Sequence, residues 1–308
     1  MAQSVDEIIT RIINDCLKDG IAPWRKPWQV NGVSLYISRQ GRPYSFLNSL
    51  LLMSQGKPAG EFITFNQIKA EGGKVKKGAK SAIVTFYKPN IKAITISAED
   101  SEDGEEHTIY KKSFILRYYN VFHISDVEGL QPKHVQTEVK ADNNIKPIDA
   151  AEKMLKAYLD SEGAPSFSEG HNEAFYRPST DEICVPALTQ FANPAEYYST
   201  AFHESVHSTG HKSRLDRLND KEVFGSVTYS REELVAEIGA ATLVAMCGID
   251  DADSYRNSVA YLQGWAKHLA DHPKDFATAA RRAEKAVNWV MGIKQTQAEE
   301  TNEVTDAA

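Results

Sequence analysis

Apolar residues recur at helical spacing from the start of the chain: Ile8, Ile9, Ile12, Ile13, Cys16 and Leu17 put one stripe on residues 4–19. Asp6 favours the helix start, and Gly20 ends the run. Asn48 to Met53 reads as a second helix, and Phe62 to Phe65 opens a short element that continues through Ile68. Ala82 to Tyr87 and Phe114 to Phe122 are rich in β-branched and aromatic residues and read as strands. The front of the chain is therefore a small α+β unit. Between its elements lie a glycine-punctuated basic loop, Gly72 to Lys80, and an acidic insertion, Glu99 to Glu106, expected at a loop tip.

Residues 129–147, with Pro132, Asp142, Asn143, Asn144 and Pro147, read as a linker. A helix is expected over Asp149 to Ser161. Ile183-Cys184-Val185-Pro186 reads as a short strand whose closing proline suits a sheet edge. Closing helices are expected over 254–270 and 274–293, and the polar tail 295–308 as disordered. The predicted organisation is an α+β chain with a first domain at 1–128, a linker at 129–147 and a second domain at 148–294.

Composition narrows the class. With 42% hydrophobic and 25% charged residues over 308 positions, the chain reads as a globular protein long enough for two domains. It shows no apolar run of membrane-spanning length and no signal-peptide pattern, so a cytoplasmic protein is expected. Cys16, Cys184 and Cys247 are odd in number and far apart, which suits buried free thiols in a reducing compartment. The formal charge of −7 is unevenly spread. Residues 1–96 hold 14 Lys and Arg against 6 Asp and Glu, so the rest is strongly acidic, and the two parts are expected to have different partners.

The acidic part carries the sharpest chemical signal, His203-Glu204-Ser205-Val206-His207. Residues four apart share a helix face, so both imidazoles can reach one metal ion, while Glu204 sits beside its open position. There Glu204 can take a proton from a water and pass it to a leaving amine. The pattern continues to Gly210 like the start of the metzincin motif, but Ser213 occupies the place of that motif's last histidine. A third ligand is sought instead in Ser230-Arg231-Glu232-Glu233-Leu234-Val235-Ala236-Glu237, similar to the gluzincin signature. Glu233 and Glu237 share a face: one would bind Zn²⁺ and the other orient a histidine. Ser230 and Glu233 also form a capping-box pattern, and in that case Glu237 is the ligand. Tyr229, Tyr176 and His211 are the candidates for an oxyanion donor.

The basic part offers flat and cationic side chains together: Trp24, Arg25, Lys26, Trp28, Arg39, Arg42, Tyr44, Lys74, Lys76, Lys77 and Lys80. Such a mixture suits single-stranded DNA, with phosphates on cations and bases on rings. No duplex-reading finger or basic zipper is present.

The chain resembles the ArdC-type antirestriction proteins of conjugative plasmids, which include relatives called DNA primase TraC. The resemblance rests on Pro23 to Trp28, Gly41 to Tyr44 with Asn48, Thr64 to Gln67, Val75 to Gly78 and Tyr119 to Phe122. It continues through His203 to His211, Arg214 to Arg217 and Tyr229 to Glu237, and so spans nearly the whole chain. It departs at Phe46-Leu47 and in the order Asn120-Val121-Phe122-His123. The resemblance implies a single-stranded-DNA-binding domain joined to a zincin-like metallopeptidase domain, protecting incoming DNA from host restriction. It leaves a host restriction or other protein open as the target. Two other readings stand beside it: a DNA-binding protein with a structural or vestigial zinc site, and a regulatory zinc protease unrelated to DNA. The primase name finds no acidic cluster here suited to Mg²⁺ and a nucleotide.

Overall fold

Ser4 and Glu7 each bond the other's backbone N–H, at 3.2 and 2.7 Å, and this reciprocal cap starts the first helix where its apolar stripe begins. The computed structural model describes residues 3–19, 22–23, 29–30, 33–34, 36–96, 107–134, 147–218, 227–249 and 259–293. Along the chain these form α1 (Val5–Lys18), β1 (Gln29–Val30), β2 (Val33–Ser34), β3 (Tyr36–Ser38), α2 (Phe46–Ser54), β4 (Gly60–Thr64), α3 (Phe65–Ala70), β5 (Lys74–Val75), β6 (Ala82–Ile96), β7 (His107–His123) and β8 (Val127–Glu128). The second part comprises α4 (Pro147–Leu159), β9 (Ser166–Glu169), β10 (Phe175–Arg177), β11 (Glu182–Val185), α5 (Pro194–Ser208), α6 (Val227–Met246), α7 (Val259–Asp271) and α8 (Asp275–Val290). The α+β reading of the front holds, and the single short element expected from Phe62 to Ile68 is two, β4 and α3. Thr64 and Gln67 make the break, capping α3 as Ser4 and Glu7 cap α1.

The front sheet runs β3-β4-β7-β6, so β6 is an edge strand. An edge leaves backbone groups unpaired, and α2 supplies substitutes for a missing strand. Asn48 Nδ2 donates to Thr85 O at 2.8 Å while its Oδ1 accepts from Thr85 N at 2.7 Å. Gln55 does the same for Ile83, at 2.9 and 2.8 Å. A small second core of Ile63, Ile68, Ile124 and Val127 fills the space between β4 and α3.

The main core crosses from the first part of the chain to the second. Ile9, Ile13, Leu50, Leu51 and Phe62 belong to the same buried cluster as Phe202, Val206, Leu234 and Phe276. Thr10 Oγ1 donates to Pro273 O at 3.0 Å, and the Phe46 amide to Glu284 Oε1 at 3.1 Å. The start of the expected linker is also held: Leu130 packs on the small core, and the amides of Lys133 and His134 both donate to Glu61 Oε2 at 2.9 Å. Residues 135–146, the insertion 99–106 and the tail 295–308 lie outside the described residues.

One strand assignment is corrected. The sheet of the second part has the order β10-β11-β9, so Ile183 to Val185 lie in the central strand and not at an edge. β10 pairs antiparallel on one side and β9 parallel on the other, and Pro186 follows the strand where no ladder bond is needed. Among the described residues no helix is long and apolar enough to cross a membrane.

Candidate metal centre

Asn193 caps α5 by accepting from the Glu196 amide at 3.0 Å, and Pro194 occupies the first turn, where no N–H is required. The helix ends at Ser208 without a left-handed glycine; two arginines of the returning loop bind its last carbonyls instead. Arg214 Nε donates to Ser208 O at 2.7 Å, and Arg217 Nη2 to Val206 O at 2.9 Å. Gly210 is needed for that return, since a Cβ there would lie 2.8 Å from Leu218 Cγ and 3.0 Å from His207 O.

α6 lies directly against α5. A Cβ at Gly239 would meet Val206 Cγ2 at 2.8 Å, so glycine is what allows this closeness. The helix already runs at Val227, which places Ser230 inside it; the capping-box alternative for Ser230 and Glu233 therefore does not apply.

Between the helices, His203 Nε2 and His207 Nε2 face each other at 3.1 Å. Glu233 Oε2 is 3.5 Å from the first and Glu233 Oε1 is 3.3 Å from the second. Among the described residues these three side chains form the one group of at least three His, Cys, Asp or Glu placed to hold a metal ion. Glu237 lies behind them, its Oε1 3.8 Å from His203 Nδ1, a buried nitrogen with no hydrogen-bond partner. Glu204 is buried beside His203 and hydrogen-bonds to no described residue.

Sequence reasoning missed Glu232. Its Oε1 lies 3.7 Å from His207 Nδ1, and Arg217 Nη2 holds that same oxygen at 2.8 Å. Each histidine thus has a carboxylate behind its Nδ1 and shares Glu233 at its Nε2. The signal was present as two adjacent glutamates on one helix, but the arginine that keeps Glu232 buried and charged comes from a separate loop.

The electrostatics favour positive charge at this point. Burial alone would push the His207 imidazole down, yet Glu232 and Glu233 outweigh it and raise it to about 10. Burial likewise opposes ionisation of Glu233, but its bonds to both histidines hold it far below the usual carboxylate range. Glu232 is lowered in the same way by His207 and Arg217 against its own burial. Clustered carboxylates of this kind stabilise a cation among them, and the facing ring nitrogens and orphaned His203 Nδ1 fit a metal with neutral imidazole ligands.

The remaining candidates divide. Tyr176 donates its hydroxyl to Asp181 Oδ1 at 2.7 Å, and burial with this bond pushes it well above the usual phenol range. His211 Nδ1 lies 2.7 Å from Ser213 Oγ. Both therefore serve the loop that returns from α5. The Tyr229 side chain, and Trp24, Arg25, Lys26 and Trp28, lie outside the described residues. Lys74, Lys76, Lys77 and Lys80 are exposed, with Lys76 Nζ reaching Ser125 O at 2.7 Å. Arg42 is exposed, and Tyr44 is half-buried with its ring edge-on to Phe62 at 6.2 Å. Arg39 is corrected: it is 5% exposed and bonded to Glu61, Glu71 and the Gln131 carbonyl, so it is a structural cation and not a surface one.

Residues 2–122 match the N-terminal domain of anti-restriction factor ArdC, and residues 152–282 match a zincin-like metallopeptidase family. The antirestriction ArdC protein from the R388 plasmid, solved with Mn(II) bound, is 29% identical, with a TM-score of 0.65 over 94% of this chain and 98% of that one. Its metal-free structure gives a TM-score of 0.62. Two Escherichia coli proteins named DNA primase TraC are 33% and 32% identical over 96% of this chain, which spans only 20% and 28% of their length. An uncharacterised Sinorhizobium fredii protein is 29% identical over 98% of this chain and 95% of its own. The chain thus joins a match to the ArdC N-terminal domain to a match to a zincin-like domain, in the order and architecture of the solved ArdC protein it is similar to.

Proposed function

We propose that this protein protects DNA entering a cell from host restriction, binding single-stranded DNA with its N-terminal part and hydrolysing peptide bonds at a metal centre in its C-terminal part. The enzymatic half rests on one observation: two imidazole Nε2 atoms 3.1 Å apart with the Glu233 carboxylate 3.3 to 3.5 Å from both. Facing ring nitrogens at that distance need a proton or a metal cation between them, and the Glu233 carboxylate beside both favours positive charge there. His203, His207 and Glu233 would be the ligands of such a metal, and two histidines with one glutamate are a donor set of catalytic zinc. A divalent metal held there supplies Lewis acidity towards a substrate carbonyl and a water.

Glu204 accepts a proton in this scheme and returns it to the leaving amine; it is buried beside His203, and among the described residues no hydrogen bond ties up its carboxylate. Glu237 and Glu232 fix the two rings from behind through Nδ1. With β11 paired on both sides, an extended peptide would add to β10, the outer strand that packs on α5. The DNA-binding half is supported by the match to the ArdC N-terminal domain and by the exposed lysines from Lys74 to Lys80.

The test is Glu204→Gln. It should keep the metal, measured by elemental analysis after gel filtration, and lose cleavage of a casein substrate. Cleavage at the wild-type rate by that variant would remove Glu204 from the mechanism, whereas no cleavage by the wild-type protein would leave a DNA-binding protein with a structural metal site.

A further inference from the structure

The sheet of the second part has two outer strands, and β9 is the one on the far side from β10. Ser166 N donates to Asp181 O at 2.9 Å, so Ser166 and Ser168 turn their backbone groups towards β11. Backbone direction alternates along a strand, which turns the N–H and C=O of Phe167 and Glu169 to the open side. Among the described residues none bonds these four groups. An open edge of this kind is a template for another extended chain.

A groove runs along that edge. α4 packs on α5 and α5 on β11, which leaves a trough of about 410 Å³ between β9 and α4. Glu152, Leu155, Lys156, Leu159 and Asp160 line it from one face of α4, at helical spacings of three and four. Phe167 and Glu169 line it from β9, and Tyr197 and Tyr198 from α5. Leu188 lines it as well and is 41% exposed, a large apolar side chain left in solvent beside the open edge.

Charge narrows what fits there. The lining sets Glu152, Asp160 and Glu169 against Lys156 alone, and Lys156 Nζ is already 3.2 Å from Asp160 Oδ2. Tyr198 donates its hydroxyl to Glu152 Oε2 at 2.6 Å, and Tyr197 donates to Glu169 Oε1. The two phenols hold both glutamates at the groove, and each glutamate has a second oxygen that no described residue bonds. Carboxylates set among leucine and phenylalanine suit a cation on an aliphatic stem, which is what lysine and arginine carry. Side chains of an extended chain alternate, so every second one would meet the groove.

We infer that this groove binds an extended, lysine- or arginine-bearing segment of a partner protein, added to the sheet as a fourth strand beside β9. Tyr197 and Tyr198 are turned about 120–140° round α5 from His203, so the groove is separate from the metal centre. The inference stands whether or not that centre cuts peptides.

Selection from a random heptapeptide library displayed on phage, against the full chain with a chelator present so that nothing is cut, tests it. Peptides with lysine or arginine at every second position should be enriched. Labelled copies, read by anisotropy, should bind the Glu152→Lys with Asp160→Lys variant roughly tenfold more weakly than wild type. Both positions are exposed, so the fold should persist, and circular dichroism checks that. Methylating the peptide nitrogens that face β9 should weaken binding roughly fivefold or more, because ladder bonds are lost. No enrichment, enrichment of peptides without cations, or equal binding to the charge variant would overturn the groove. Sensitivity to the charge variant but not to methylation would overturn the added strand. A dimer in light scattering that the charge variant dissolves would give the groove to a second copy and overturn the partner protein.

Discussion

Replacing Gly239 by alanine adds one methyl group where α5 and α6 meet. That carbon would lie 2.8 Å from Val206 Cγ2 and 3.0 Å from Val206 Cγ1. Carbon atoms in contact prefer about 3.5–4.0 Å, so the helices must part locally by roughly 0.5–1 Å. Val206 cannot swing aside, because it is fully buried and a β-branched side chain in a helix has one strongly preferred rotamer. Overpacking of this kind costs about 1–3 kcal/mol, and the better helix propensity of alanine returns about 1 kcal/mol. A net loss of about 0–2 kcal/mol is expected in urea unfolding with a chelator present. The effect on the centre should be larger, since His203 and His207 ride on one helix and Glu233 on the other. Metal–ligand distances tolerate only about 0.2 Å, so affinity for zinc should fall by tenfold or more in competition with a chromogenic chelator. Val206→Ala in the same chain reopens the space, and the double variant should regain most of the affinity while staying less stable than wild type. If Gly239→Ala is instead stabilised by about 1 kcal/mol, the propensity gain alone, and holds zinc as tightly as wild type, the close approach is not what sets the site.

Three further outcomes follow from other contacts. Arg217→Met would leave Glu232 buried without its cation, so a loss of about 3–5 kcal/mol in chemical denaturation and a roughly 10- to 100-fold weaker metal affinity are expected. Unchanged metal affinity would show that Glu232 does not steer His207. Asn48→Ala removes the partners of both the Thr85 amide and carbonyl, at about 2–4 kcal/mol, and a melting temperature within a degree of wild type would argue against side chains closing the β6 edge. Glu71 is held at about 2 against its ordinary 4.5, chiefly by its hydrogen bond to Arg39. Its contribution to stability should be present above about pH 4.5 and disappear as the pH falls towards 2, because the unfolded chain takes the proton first. Glu71→Gln should flatten the stability profile across that window, and an identical profile would refute the assignment.

The sequence by itself determined what depends on near neighbours along the chain. Helical period set α1, and the four-residue spacings of His203 with His207 and of Glu233 with Glu237 each put two side chains on one helix face. The basic front and acidic back were likewise legible, because charge is counted without knowing the fold. Tertiary structure alone decided which groups meet across long separations. Arg39 reads as a surface cation until Glu61, Glu71 and the Gln131 carbonyl close around it. Ile183 to Pro186 reads as an edge because its proline cannot donate to a ladder, yet β9 and β10 flank the residues before that proline. The capping-box alternative failed because α6 is already helical at Val227, before Ser230. Glu232 could not be told from a solvated glutamate until Arg217, 15 residues earlier, was seen beside it. A carboxylate, guanidinium or strand edge takes its role from the dielectric and the partners around it, and those are supplied by distant parts of the chain.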